Sequence, residues 1–256
     1  MASTSLSSIV TRLDQLLELP RYTDIAVNGL QVEAPPSNVQ KVAFAVDAGL
    51  SVLQAAADAR CQLLIVHHGI LWGDGGPIVG PFARKVQVCM NAGLSLYAAH
   101  LPLDGHPEFG NAAQLAQLLG LVDIVPGFLR KGAPLGVVGT LPSPQTPVDL
   151  AARLASCEGA LQPPLILPFG SASVKRLGIA TGSATSLLPE CAALGIDTLL
   201  TGESKQEAYH TAKEYHVNLI CMGHYASETF GVRALERVLQ SEFRVETTWI
   251  SEPTGI

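Results

Sequence analysis

No run of lysine or arginine occurs in this sequence, and its 16 basic side chains are outnumbered by 22 acidic ones for a formal charge of −6. A surface of that kind lacks the positive stripe that a phosphate backbone requires, which argues against nucleic acid as a partner. Long apolar runs are also missing. Leu63 to Val66 and Leu94 to Ala99 are strand-sized, far short of the roughly 20 residues of a membrane-spanning helix. The opening Met1-Ala-Ser-Thr-Ser-Leu has no basic stretch leading into an apolar core, so it does not read as a secretory signal, and a cytoplasmic location is expected. The five cysteines, Cys61, Cys89, Cys157, Cys191 and Cys221, occur singly without a CxxC pair. A disulfide framework and a thiolate zinc site are therefore not expected, and reduced, packed thiols are. No Gly-x-x-x-x-Gly-Lys-Ser/Thr phosphate cradle is present either.

What is present describes a globular α/β chain. Apolar residues make up 48% of the 256, charged residues 15%, and 24 glycines and 17 prolines divide the chain into many short segments. Leu6, Ile9, Val10, Leu13, Leu16 and Leu17 recur at helical spacing and predict an amphipathic helix over Ser5 to Leu19, with serines available to cap it. Strands are predicted at Lys41 to Val46, Gln62 to Val66 and Leu94 to Ala99, separated by helices at Ser51 to Arg60 and Phe82 to Ala92. Parallel strands need a crossover, normally helical, so this βαβ order predicts a largely parallel sheet.

The second half repeats the pattern. Strands at Lys175 to Ala180, Ile196 to Leu200 and Val217 to Met222 alternate with helices at Thr185 to Leu194 and Lys205 to Tyr215. Shifted by 135 residues, Gln62 to Val66 lies over Asp197 to Thr201, and His67-His68 over Gly202-Glu203; shifted by 124, His100 falls on His224 and Asp104 on Glu228. One insertion, the glycine-rich loop Gly69 to Pro81, accounts for the 11-residue difference. The expected fold is two related βαβ-containing lobes with largely parallel or mixed sheets and helices packed on them. The lobes are expected at residues 1–130, carrying His67, His68 and Asp104, and 131–256, carrying His224 and Glu228, with the last helix free to pack on the first lobe and a metal site between the lobes.

Four of the seven histidines, His67, His68, His100 and His224, stand directly after predicted strands, and ligands in open α/β sheets bind at the carboxyl ends of strands. One histidine there is commonly structural. Four, with Asp104 and Glu228, are more titratable groups than packing can satisfy, and a cation supplies the missing partner. Successive strand side chains point to opposite faces, so the doublet reaches one cluster only if the chain turns, which Gly69 is expected to permit. A doublet fits two neighbouring ions. Asp104 and Glu228 each lie four residues past a histidine, sharing a face with it if those segments begin helices. Imidazole and carboxylate without sulfur suit Zn, Fe, Mn, Ni or Co and do not select among them.

The strings His67-His68-Gly-Ile-Leu-Trp-Gly, His100-Leu-Pro-Leu-Asp-Gly-His-Pro-Glu-Phe-Gly-Asn111, Thr201-Gly-Glu203 and Gly223-His224-Tyr-Ala-Ser-Glu228-Thr resemble the NIF-three-like proteins, often labelled GTP cyclohydrolase 1 type 2 homologues. Carried over residue by residue, the resemblance implies a dinuclear metal centre held by His67, His68, Asp104, His224 and Glu228, and assembly as a toroidal homohexamer. The expected function is metal-dependent hydrolysis of a nucleotide or other phosphorylated or cyclic small molecule. His100 and Glu203 are the candidates for proton transfer. The competing expectation is a non-catalytic metal-binding regulatory or interaction protein.

Overall fold

The computed structural model describes residues 4–35 and 38–256. The chain forms two units, residues 1–103 with 232–252, and 104–231 with 253–256. Among the described residues, no helix is long and apolar enough to cross a membrane.

In the first unit, Thr4–Ser5 (β1) pairs with Asn38–Val39 (β3), and helix Leu6–Leu16 (α1) starts on Ser5, whose hydroxyl accepts from the Ser8 N–H. Gly29–Val32 (β2) and Lys41–Asp47 (β4) follow, then helix Leu50–Asp58 (α2), strand Leu63–His68 (β5), helix Gly80–Ala92 (α3) and strand Ser95–Ala98 (β6). A last strand, Glu246–Trp249 (β13), returns to pair parallel with β4, giving the order β13-β4-β5-β6-β2 with only β2 antiparallel. Two-residue alternation builds a core on each face of this sheet. Val42, Phe44, Leu63, Ile65 and Tyr97 pack with Leu6, Ile9 and Leu13 of α1, while Ala43, Ala45, Leu64, Val66 and Leu96 pack with Val52, Leu53 and Ala56 of α2 and Cys89 of α3.

The second unit begins at Asp104, the last residue of a single helical turn, Leu101–Asp104 (α4). Asn111–Leu118 (α5), Val122–Gly127 (β7), Gly136–Gln145 (β8), Pro147–Leu154 (α6), Leu165–Leu167 (β9) and Val174–Ile179 (β10) come next. Leu188–Ala193 (α7), Thr198–Thr201 (β11), Ala208–Glu214 (α8) and Asn218–Cys221 (β12) lead to the helix His224–Glu242 (α9). The sheet order is β7-β8-β10-β11-β12-β9, with β10, β11 and β12 parallel and β9 antiparallel to β12. Its two faces carry Leu177, Ile179, Leu200 and Ile220 against α5 and α6, and Leu199, Leu219 and Cys221 against α7 and α8.

Each unit thus contains three parallel strands joined by two helices, flanked by a short antiparallel strand that precedes them in the chain: β2 beside β6, and β9 beside β12. The helices pack on mixed sheets, as the periodicity predicted. Several edge strands were not predicted, because runs of three to six residues, about half of them exposed, carry little pattern. Cys61, Cys89, Cys191 and Cys221 are buried free thiols, and burial pushes Cys191 and Cys221 up to about 12.

Candidate metal centre

The doublet lies inside β5, not after it, since the strand runs to His68 and Asp47 pairs with His68 across the ladder. Strand parity continues through it: His67 follows Leu63 and Ile65 on one face, His68 follows Leu64 and Val66 on the other. The rings still meet, with centroids 4.5 Å apart, because they sit at the strand's end where no further residues separate the faces. Gly69 does not take a positive φ to achieve this. A Cβ there would instead overlap the carboxamide of Gln31, whose Oε1 accepts from the Ile70 N–H at 2.7 Å and the Leu71 N–H at 3.2 Å.

His100 completes a trio, its ring centroid 5.1 Å from that of His67 and 5.6 Å from that of His68. One ring nitrogen of each lies within 4.8 Å of the others. All three rings are held through Nδ1: His67 at 2.8 Å from the Ala99 carbonyl oxygen, His68 at 2.8 Å from Asp47 Oδ1, and His100 at 2.9 Å from Asp24 Oδ1. Carbonyl and carboxylate oxygens only accept, so each neutral ring carries its proton on Nδ1 and its lone pair on Nε2. This is the tautomer a metal-binding histidine adopts. Burial alone would raise the Asp24 carboxyl, but hydrogen bonds from His100, Asn28 and the Ala26 N–H outweigh it and hold it well below the usual carboxylate range. Trp72 borders the trio, 5.1 Å from His100 and 5.9 Å from His68 between centroids, with its indole N–H donating to the Gly69 carbonyl.

The second unit places the remaining candidates. His224 and Glu228 occupy the first turns of α9, one helical turn apart, with Nε2 3.2 Å from Oε2. Glu203 Oε2 stands 3.5 Å from His224 Nδ1. The hydrogen bond to Glu228, aided by the charges of Glu228 and Glu203 and opposed by burial, lifts His224 to about 9. A carboxylate oxygen of Asp104 lies within 4.8 Å of one of Glu228. Asp104 Oδ1 accepts from Thr181 Oγ1 and Asn111 Nδ2, each at 2.9 Å, which fixes the plane of the carboxylate. Asn111 is buried and its Oδ1 accepts from the Gly231 N–H at 2.7 Å, so it buttresses Asp104, while Gly110 holds the N-cap of α5.

The other histidines stand apart from these sets. His106 Nδ1 accepts from the Glu108 and Phe109 N–H groups in a local turn, and His210 and His216 are exposed. Sequence reasoning missed Asp24, Asn28, Asp47, Thr181 and Gly182. Asp47 ends the strand next to the doublet, so the strand-end rule could have reached it. Asp24 lies in an irregular segment 76 residues before His100, and no local pattern joins the two.

The family model for Duf34/NIF3 (NGG1p interacting factor 3) matches residues 4–254. A protein of Deinococcus radiodurans named "GTP cyclohydrolase 1 type 2 homolog" is 41% identical over 248 residues, covering 97% of this chain and 93% of its own. One of the same name from Halobacterium salinarum is 41% identical over 251 residues, covering 98% and 99%. Among solved structures, TTHA1606 from Thermus thermophilus superposes with a TM-score of 0.90 at 38% identity, covering 99% of this chain and 100% of that one. The protein ybgI, described as of unknown function, gives 0.90 at 32% with the same coverage. A match over nearly the whole chain, by sequence and by structure, makes this protein a member of the Duf34/NIF3 family.

Proposed function

We propose that this protein holds two divalent cations through His67, His68, Asp104, His224 and Glu228, and that it is a metal-dependent hydrolase of a nucleotide or other phosphorylated or cyclic small molecule. The observation that carries the proposal is the shared tautomer of the three imidazoles in the first unit, each Nδ1 engaged by an acceptor. The Nε2 atoms of His67 and His68 suit a borderline cation such as Zn, Fe, Mn, Ni or Co, and the carboxylates of Asp104 and Glu228 supply the negative charge such ions need. Bound there, divalent cations supply Lewis acidity, polarising a phosphoryl or carbonyl oxygen and acidifying water.

The chain's own residues divide the remaining work. Asp24 and Asp47 orient His100 and His68, and Thr181 and Asn111 orient Asp104. His100 accepts a proton at Nε2. Glu203, beside His224 Nδ1, keeps that ring oriented and carries protons outward. The names of the Deinococcus and Halobacterium relatives support a nucleotide substrate. The family resemblance supports a cytoplasmic homohexamer. The family description as an interacting factor supports a second reading, a regulatory protein in which the ions stabilise a docking surface.

The test is metal analysis of the purified chain, followed by assay of the reconstituted protein against nucleotides and phosphoesters beside Glu228→Gln. Close to two ions per chain, and turnover that the variant loses, are expected. Equal turnover in both would overturn catalysis at this centre, and a chain that takes up no cation would overturn both readings.

A further inference from the structure

We infer that Asp24 is a positioning residue of this centre, a buried carboxylate that, with Asn28, keeps His100 in the tautomer able to take a proton at Nε2. The inference rests on the reading of His100 as the proton acceptor. The Asp24 side chain is 2% exposed. Its two oxygens accept from the Ala26 N–H at 3.0 Å, Asn28 Nδ2 at 2.9 Å, the Leu101 N–H at 3.0 Å and His100 Nδ1 at 2.9 and 3.1 Å. Asn28 closes the cradle by accepting the His100 N–H on Oδ1 at 2.7 Å. Ring and main chain of His100 are thus gripped by one short segment.

That segment is itself anchored to the loop that follows the His67-His68 doublet. Ala26 and Trp72 form an antiparallel bridge, the Val27 N–H donates to the Leu71 carbonyl at 3.1 Å, and the Gly73 N–H donates to the Ile25 carbonyl at 2.6 Å. A helix cap or turn would need only the main-chain donors. The carboxylate also accepts the ring Nδ1–H of the one histidine in the trio that falls outside the expected ligand set. His68 has a similar partner in Asp47, but Asp47 is 36% exposed and its pull is screened by water. Asp24 is shielded, so its hydrogen bond is the strong one.

The experiment records long-range proton–nitrogen correlation spectra of the full-length, 15N-histidine-labelled chain stripped of metal, so that only the protein can fix the tautomer. In the unmodified chain His100 is expected as the Nδ1–H form alone. Asp24→Asn offers an amide donor to Nδ1, and the share of the Nε2–H form should rise roughly ten- to a hundredfold, the worth of one hydrogen bond to a charged group. The signals of exposed His210 and His216 should stay in place and report an intact fold. Two results would overturn the inference: His100 in the Nε2–H form in the unmodified chain, which needs no variant to observe, or an unchanged Nδ1–H form in a folded Asp24→Asn. Neither depends on turnover, so this inference and the hydrolase reading fail separately.

Discussion

Gly182→Ala gives the most direct test of the donors in the second unit. Gly182 has φ +63°, and a Cβ on it would overlap Glu228 Oε1 and stand 3.2 Å from His224 Nε2. The backbone cannot retreat. Gly182 donates its N–H to Ser227 Oγ at 3.0 Å, and its carbonyl accepts from the Gly202 N–H at 2.9 Å, the Glu203 N–H at 3.0 Å and Thr201 Oγ1 at 3.1 Å. Two costs follow. A non-glycine residue in the left-handed region costs about 1–2 kcal/mol. In addition, Glu228, itself 3% exposed, must swing away by about 1 Å to restore van der Waals separation. Metal–ligand distances tolerate about 0.2 Å, so cation affinity should fall at least as far as when a supporting residue is lost, about 10- to 100-fold. Gly195→Ala is the control: it has φ +65° and nothing within 4 Å of the added carbon. Urea unfolding of the metal-free variants should show a similar loss for the backbone term in both. Calorimetric titration with Zn2+ should show weakened binding in Gly182→Ala only. Equal zinc affinities in the two variants would refute the placement of Glu228 and His224 at a cation.

Three further outcomes are expected. In metal-free protein the hydrogen bond that His224 donates to Glu228 holds His224 at about 9, above its ordinary 6.5; a raised folded-state value stabilises fully below the unfolded value and is lost as pH climbs through the folded one. Unfolding free energy should therefore drop between pH 6.5 and pH 9, by on the order of 3 kcal/mol, and a flat profile that Glu228→Gln does not alter would count against the contact. Trp72 lies 5.1 Å from His100 and 5.9 Å from His68, whereas Trp249 is stacked under Arg233 at 3.9 Å; Co2+ should quench Trp72 emission, and a Trp72→Phe protein that still responds would contradict this. Asp47→Asn, at a half-exposed position beside His68, should weaken zinc binding less than Asp24→Asn disturbs the His100 tautomer, and a greater than roughly 100-fold loss of zinc affinity would show that exposure is the wrong measure of these two carboxylates.

What was legible in the sequence is what repeats at short range. The apolar run Val42, Ala43, Phe44 and Ala45 marks a strand, and the structure places those residues in two separate cores, one on each face. The same regularity leads to His67, His68, His100 and His224, because donors at strand ends are found by finding strands. The i, i+4 spacing of His224 and Glu228 was readable for the same reason, and α9 delivers it as a 3.2 Å contact. The strand β13 escaped because it owes its existence to a partner, β4, that lies about 200 residues earlier; four residues with one buried edge carry no signature of their own.

The site shows where such reading stops. Nitrogen donors announce themselves by residue type, but the atoms that decide which nitrogen carries the proton belong to Asp24, Asp47 and the Ala99 carbonyl, which lie 76, 21 and 32 residues from the histidines they hold. Gly69 makes the same point in reverse. Its conformational freedom was the obvious explanation and is not used; the residue is small because Gln31, brought in by β2, occupies the space a side chain would need. A glycine or an aspartate outside a motif therefore says little alone. Its meaning is set by what the fold packs against it, which is why candidate donors can be listed from one sequence while the groups that orient them had to be seen.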